Sequence, residues 1–380
     1  MEENKIKKIR ILQFPIANSN GGITHYALGN WKWMDRNQFI CDFATMSSKL
    51  DFEDEILSTG SKIYYISCYA EENQEKFVRE FDEILTKGYD VVHIHTKQWK
   101  SCLVEKMCKN HQIPKVIVHA HSTGFDNGNP INRKKEEQLH ENVKQSFRES
   151  LATDFWACSK TAANFLFGKQ ISENRIKIMP NAIEIEKFAF NPQIRDVYRR
   201  KYGLDNYYVI GHVGRFEYQK NHHFLINLFY EILNEIDNAK LILLGDGKLY
   251  NEVKLQTQKL KIEEKVLFLG KRDDINNWYQ AMDVFCLPSR FEGLPISVIE
   301  AQASGLPCIC SNSISPEVKI GKNVSLLPLE KKKWIHKICE VSKLERIDNR
   351  LELDMAGYNI QTQIKVLEDL YKNCKMRASS

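Results

Sequence analysis

Two successive runs of alternating strand and helix signals restrict the folds open to this chain more than any other feature. In the first run Lys8 to Phe14 (KIRILQF), FICDFAT, KIYYIS, DVVHIHT, KVIVHAHS, DFWACS and IKIMPNAI read as short apolar strands. Helical stretches lie between several of them, one opened by the glycine pair of NSNGGITHYALGNWKWM. In the second run YYVIGHVGRF, AKLILLGDG, KVLFLGKRD, DVFCLPS and PCICSN are the strands, and HHFLINLFYEIL, YNEVKLQTQKL and INNWYQAM the helices. Parallel strands need a crossover, usually a helix, so each run predicts a mainly parallel, doubly wound α/β sheet. At 380 residues two domains are expected, and the boundary falls near Asn181 to Pro192. Two such domains are expected to face each other across a cleft, with ligands at the carboxyl ends of the strands.

Composition narrows the class. Hydrophobic residues make up 43% and charged residues 27%, as in a soluble globular protein. The start, MEENKIKKIRILQF, does not read as a signal peptide, and no apolar stretch approaches the ~20 residues that span a bilayer. A cytoplasmic protein is expected. The ten cysteines are scattered and form no CxxC pair, so reduced thiols are expected rather than disulfides or a metal site. The net charge of +5 is too mild for a nucleic-acid binder but suits anionic substrates or an anionic membrane surface.

The segment RFEGLPISVIEAQASGLP (Arg290 to Pro307) concentrates the chemistry. It follows the apolar strand DVFCLPS. Pro295 is expected as the first helical residue, and Gly305 as the stop. The free N–H groups at such a helix start, around Gly293, Leu294, Pro295 and Ile296, suit a phosphate. Glu292 at the mouth and Glu300 inside the helix then flank that phosphate site. Two acids on either side of an amide-lined site suit a ligand with a diol at each end, a nucleotide sugar. In HVGRFEYQKNHHFL, Arg215 and Lys220 follow a strand and would neutralise the diphosphate without a metal. Gly21-Gly22 is the counterpart after the first strand, and with no GxGxxG pattern a nicotinamide cofactor is disfavoured. His119 and His121 share one side-chain direction at a strand end. No further ligand cluster follows them at metal spacing, so a histidine near the sugar is expected rather than a metal. His93 and His95 read as structural. The turn of Gly245-Asp246 is another strand-end candidate.

These residues together resemble the retaining glycosyltransferases of family 4, which have the GT-B fold. The resemblance covers nearly the whole chain. The Glu292 to Glu300 stretch is similar to the family's E-x7-E signature and GRFEYQKN to its Arg and Lys segment. GG, PNAIEIEKF, GDG, FLGKRDDINNWYQAMDVFCLPS and SPEV fall in the family's order. EGLPISVIEAQASGLPC with HAHS upstream is most similar to the branch that builds bacterial exopolysaccharide and capsule. One departure is Val324 in GKNVSLLP, where the family commonly has glycine.

The resemblance implies roles. Arg215 and Lys220 would hold the diphosphate, Glu292 the sugar hydroxyls and Glu300 the ribose. Gly21, Gly22, Gly245, Asp246, Lys271, Arg272 and the backbone of Gly293 to Ile296 would complete the donor site. His121, with His119 as the alternative, would lie near the sugar. No metal or other cofactor is implied. The reaction would move a hexosyl or N-acetylhexosaminyl group from a nucleoside-diphosphate sugar, UDP before GDP, to a hydroxyl of a lipid-linked oligosaccharide, with retained anomeric configuration. The N-terminal, acceptor-side domain would be residues 1–185 plus 357–380, because GYNIQTQIKVLEDLYKNC would cross back onto it, and the donor-side domain residues 186–356. Apart from the resemblance, the basic and aromatic segments Trp31, Lys32, Trp33 and Asn132 to Lys135 are expected to rest on the inner face of the cell membrane. A nucleotide-sugar epimerase of the same fold and a non-catalytic donor-binding subunit are the competing readings.

Overall fold

The computed structural model describes residues 7–18 and 21–373. The chain folds into two compact units. One contains the chain up to Ser122, Lys135–Asn181 and the chain from Ile360; the other contains Thr123–Lys134 and Ala182–Asn359. Relative to the ranges read from sequence, the junctions move by a few residues, and a short piece of the first half, 123–134, packs with the second unit.

The first unit holds seven strands: β1 (Ile9–Ile16), β2 (Phe39–Thr45), β3 (Ile63–Tyr65), β4 (Val91–Thr96), β5 (Lys115–Ala120), β6 (Asp154–Ala157) and β7 (Ile176–Ile178). All pair in parallel, in the order β3-β2-β1-β4-β5-β6-β7. The second holds β8 (Tyr208–Val213), β9 (Ala239–Leu244), β10 (Val266–Gly270), β11 (Val284–Leu287), β12 (Cys308–Ser311) and β13 (Val324–Leu327), in the order β10-β9-β8-β11-β12-β13, again parallel. The family-atypical Val324 starts β13, is buried, and pairs with Cys308. A branched side chain suits such a strand better than glycine.

Strands buried on both faces need near-continuous apolar runs, and these have them. Ile11, Phe43, Val91, Ile117 and Trp156 build the first core, joined by Ile364, Leu367 and Tyr371 of the Ile360–Lys372 helix. That late helix therefore completes the sheet that the chain begins. Ile210, Leu225, Phe229, Leu241, Val284, Ile309 and Trp334 build the second core. The nine cysteines among the described residues are all free, and most are buried. Among the described residues no helix is long and apolar enough to cross a membrane.

In each sheet the strand order reverses once. The reversal lies between β1 and β4 in the first sheet and between β8 and β11 in the second. Loops leaving the carboxyl ends of such a pair diverge to opposite faces and leave a crevice that binds ligands. Gly21 and Gly22, which follow β1, and Arg215, Lys220, Glu292 and Glu300, which follow β8 and β11, sit at these two places; the other residues singled out by sequence follow neighbouring strands.

Candidate active site

In the second unit the carboxyl edge carries the candidate residues in spatial order. After β10 come Lys271 and Arg272, after β9 Gly245 and Asp246, after β8 Arg215 and Lys220, and after β11 the Glu292 to Glu300 stretch. The Gly245 loop lies against the Arg215 loop. The amide of Phe216 donates to the Asp246 carbonyl at 2.7 Å, and that of Gly245 to the Gly270 carbonyl at 2.8 Å. A Cβ on Gly245 would stand 2.1 Å from the Gly214 carbonyl oxygen, at a φ of +133°. Only glycine allows this approach. Arg272 is committed to Asp274, with two guanidinium contacts of 2.8 Å.

The loops after β8 and β11 are tied across the reversal. Asn221 Nδ2 donates to the Pro288 carbonyl at 3.1 Å, and the Arg290 amide to the Gln219 carbonyl at 2.8 Å. At their junction Glu292 is buried and holds three donors. Lys220 Nζ lies 2.6 Å and Ser289 Oγ 2.9 Å from Oε1, and Gln219 Nε2 lies 3.0 Å from Oε2. An ionised carboxylate held this way is oriented as well as neutralised. Arg215 is half-buried and reaches Asp126 at 3.4 Å, while Asp126 also accepts from the Gln219 amide at 2.9 Å. Asp126 belongs to the 123–134 segment, whose Gly124 rests on the Phe291 ring, where a Cβ would come within 2.5 Å of the ring. Arg133 of the same segment lies over Tyr218, 4.6 Å from the ring centre.

The helix that follows runs Ile296–Ala303. Pro295 is its cap in extended conformation, not its first helical residue, so the turn opens one residue later than expected. Gly305 lies beyond it at a φ of +74°. Glu300 is buried and accepts from the Tyr279 hydroxyl at 2.8 Å. Burial pushes its pKa up to about 7, while Tyr279 and then Lys187 and Lys220 draw it down. Gly293 and Leu294 are buried within the loop, and Ile296 is partly open.

In the first unit Gly21 caps the Gly22–Trp33 helix after β1 and its carbonyl accepts from the His25 amide. Parallel register brings β4 and β5 together so that His95 stands opposite His119. His119 is fully buried; His121 lies just past the strand end, half-buried, its amide donating to the Thr96 carbonyl at 3.0 Å. The expectation that no further ligand cluster accompanies these histidines is corrected. His93, His95 and His119 place a nitrogen each within 4.8 Å of one another. Sequence spacing missed this because the partners lie on the neighbouring strand. Within the cluster, His93 Nε2 faces His119 Nδ1 at 3.1 Å and His95 Nδ1 faces His121 Nε2 at 3.0 Å. Burial holds the pKa of all four rings low. Trp31, expected on a membrane surface, is instead core, with its indole donating to Ser61 Oγ.

This double Rossmann-like architecture with an acid- and cation-lined carboxyl edge is that of the GT-B glycosyltransferases. The sequence profile of the family "Glycosyl transferases group 1" matches residues 194–359. EpsF of Bacillus subtilis (strain 168), named as a glycosyltransferase, is 31% identical over 95% of this chain and 96% of its own. A relative from Escherichia coli, the UDP-Gal:alpha-D-GlcNAc-diphosphoundecaprenol alpha-1,3-galactosyltransferase, is 29% identical over 96% of this chain and 97% of its own. In fold, the chain is similar to Anabaena HepE, solved in complex with UDP-glucose, with a TM-score of 0.76 over 97% of this chain and all of that one, at 16% identity. The chain belongs to the group 1 glycosyl transferases.

Proposed function

We propose that this glycosyltransferase is a family 4 enzyme moving a hexosyl or N-acetylhexosaminyl group from a UDP-sugar to a hydroxyl of a lipid-linked glycan, with retained configuration, in exopolysaccharide or capsule synthesis. The observation that carries the reading is the convergence of Arg215, Lys220, Glu292 and Glu300 at the strand-order reversal of one sheet. Arg215 and Lys220 neutralise the diphosphate as the bond from C1 to its oxygen breaks. The acceptor oxygen bonds to C1 on the face the diphosphate leaves, and its proton passes to a phosphate oxygen. Glu292 binds the sugar hydroxyls, Glu300 the ribose, and His121 in the first, acceptor-side unit a further sugar hydroxyl. No metal takes part, because the two cations and the loop amides supply the positive field. The diphosphoundecaprenol-linked acceptor in the name of the E. coli relative supports the lipid-linked setting.

A cytoplasmic enzyme resting on the inner face of the cell membrane fits such an acceptor. Exposed Lys32 and Trp33 are the groups to meet it. The test is a calorimetric screen of UDP- and GDP-sugars, followed by turnover of the best donor on membrane-extracted lipid acceptor with EDTA present. Release of UDP coupled to glycolipid product is expected. A new epimer formed without acceptor, or donor binding with no nucleotide release on any acceptor, overturns the reading.

A further inference from the structure

The four clustered histidines of the first unit, His93, His95, His119 and His121, are wired to two residues that no motif contains, Gln13 on β1 and Tyr371 on the Ile360–Lys372 helix. The Gln13 amide nitrogen donates to the Tyr371 hydroxyl at 3.1 Å, and its carbonyl oxygen faces His95 Nε2 at 2.8 Å. An amide oxygen only accepts, so His95 carries its proton on Nε2. A neutral ring then has its lone pair on Nδ1, which faces His121 Nε2. His121 must carry its proton there, leaving Nδ1 as an acceptor. That atom is buried and has no hydrogen-bond partner.

The second arm gives the opposite ending. Having accepted from Gln13, the Tyr371 hydroxyl donates to His93 Nδ1 at 2.8 Å. His93 Nε2–H then donates to His119 Nδ1, and His119 ends in a donor at Nε2, with the Met179 backbone as its neighbour. Both arms require neutral rings, and burial keeps them so, bringing His95 to about 3. Tyr26 packs edge-on against His119, with ring centres 4.9 Å apart, and holds the pair from the other side.

We infer that Gln13, through His95, is a positioning residue that fixes His121 in the tautomer whose Nδ1 accepts, so that what His121 recognises is a donating hydroxyl of the sugar rather than a carbonyl or phosphate oxygen. The inference rests on the reading of His121 as the sugar-facing histidine. A hydroxyl donates to this nitrogen; a fluorine in its place cannot. Selection among sugars at this point is therefore set by a residue that touches no substrate.

The tautomer is tested without any substrate. Long-range proton–nitrogen correlation spectra of the unliganded, 15N-histidine-labelled protein should show His95 and His121 protonated on Nε2 alone. Gln13→Met, similar in volume but without the amide, should shift the His121 nitrogens and lower turnover of UDP-glucose or UDP-galactose about tenfold. UDP affinity should stay within about twofold, since His121 does not meet the nucleotide. If Gln13→Met fails to fold, Tyr371→Phe removes the partner that orients the amide and should shift the same signals. A proton on His121 Nδ1, unchanged signals in the variants, or a stoichiometric metal found on the histidines by elemental analysis overturns the proposal. Correct tautomers with no turnover of any UDP-sugar would leave the setting of the His121 tautomer by Gln13 standing and sink the proposed function, and with it the sugar hydroxyl assigned to His121.

Discussion

Lys220 and Glu292 lie 2.6 Å apart, both largely buried, at the place where the second sheet reverses its strand order. The lysine is held by the acid and, on the proposed function, would also meet the donor's diphosphate. Its charge is therefore shared, and the donor must enter a site whose cations are already partnered. This pairing, with that of Arg215 and Asp126, shapes what substitutions should do.

Removing one member of a buried ion pair leaves the other charge unsatisfied, which costs about 3–5 kcal/mol. Lys220→Ala should fall at the low end, about 3 kcal/mol, because Ser289 and Gln219 still donate to Glu292. Urea denaturation measures this. Glu292→Gln keeps hydrogen bonds while losing the charge, and should reduce turnover at least about a hundredfold with UDP affinity changed by less than about threefold. Parallel losses in turnover and UDP affinity would refute the assignment of Glu292 to the sugar.

Arg215→Ala should weaken UDP-sugar binding about 10- to 100-fold, the worth of a charge-assisted hydrogen bond. Asp126→Asn should do the opposite, tightening binding about twofold to threefold by freeing Arg215. The pair is about a quarter exposed on each side, so the same change should move stability by less than about 0.5 kcal/mol. Calorimetric titration in low and high salt checks both.

Glu300 gives a pH dependence. Its pKa, raised to about 7, leaves the carboxyl mostly protonated at pH 6 and ionised at pH 8. A carboxylate accepts from a diol better than a carboxylic acid does, so affinity for UDP-sugar should rise as pH climbs through 7 and then level off. The diphosphate of a UDP-sugar does not itself titrate there. Because the folded pKa lies above the unfolded one near 4.5, the same group's contribution to stability is full below 4.5 and lost as pH rises through 7. Glu300→Gln should flatten the binding profile; a slope that survives the change would exclude Glu300 as its source.

Gly245→Ala tests the packing of two loops. With the Gly214 carbonyl 2.1 Å from the new methyl and a φ of +133°, the backbone must shift. Thermal unfolding should drop by several degrees, and UDP-sugar affinity should fall with it because the Arg215 loop moves too.

The two sheets and the cation and acid row were legible in sequence because apolar strand runs and strand-end motifs are local signals. The β13 strand was not, since VSLL sits in a polar stretch and its burial comes from pairing with β12. Asp126, Gln219 and Tyr279 were missed for a related reason. Each acts on a residue brought near by folding: Asp126 reaches Arg215 across 89 positions and Tyr279 reaches Glu300 across 21. Gln13 and Tyr371 are separated by 358 positions and carry no motif at all.

The Ile360–Lys372 helix also orders events in time. A ribosome delivers residues 182–359 before it delivers Ile364, Leu367 and Tyr371, which the first core requires. The unit encoded in the middle can close around its own apolar side chains during synthesis, while the one whose strands emerged earlier must wait with its core and its histidine wiring incomplete. During that wait the earlier strands are the part of the nascent chain that most needs shielding from aggregation.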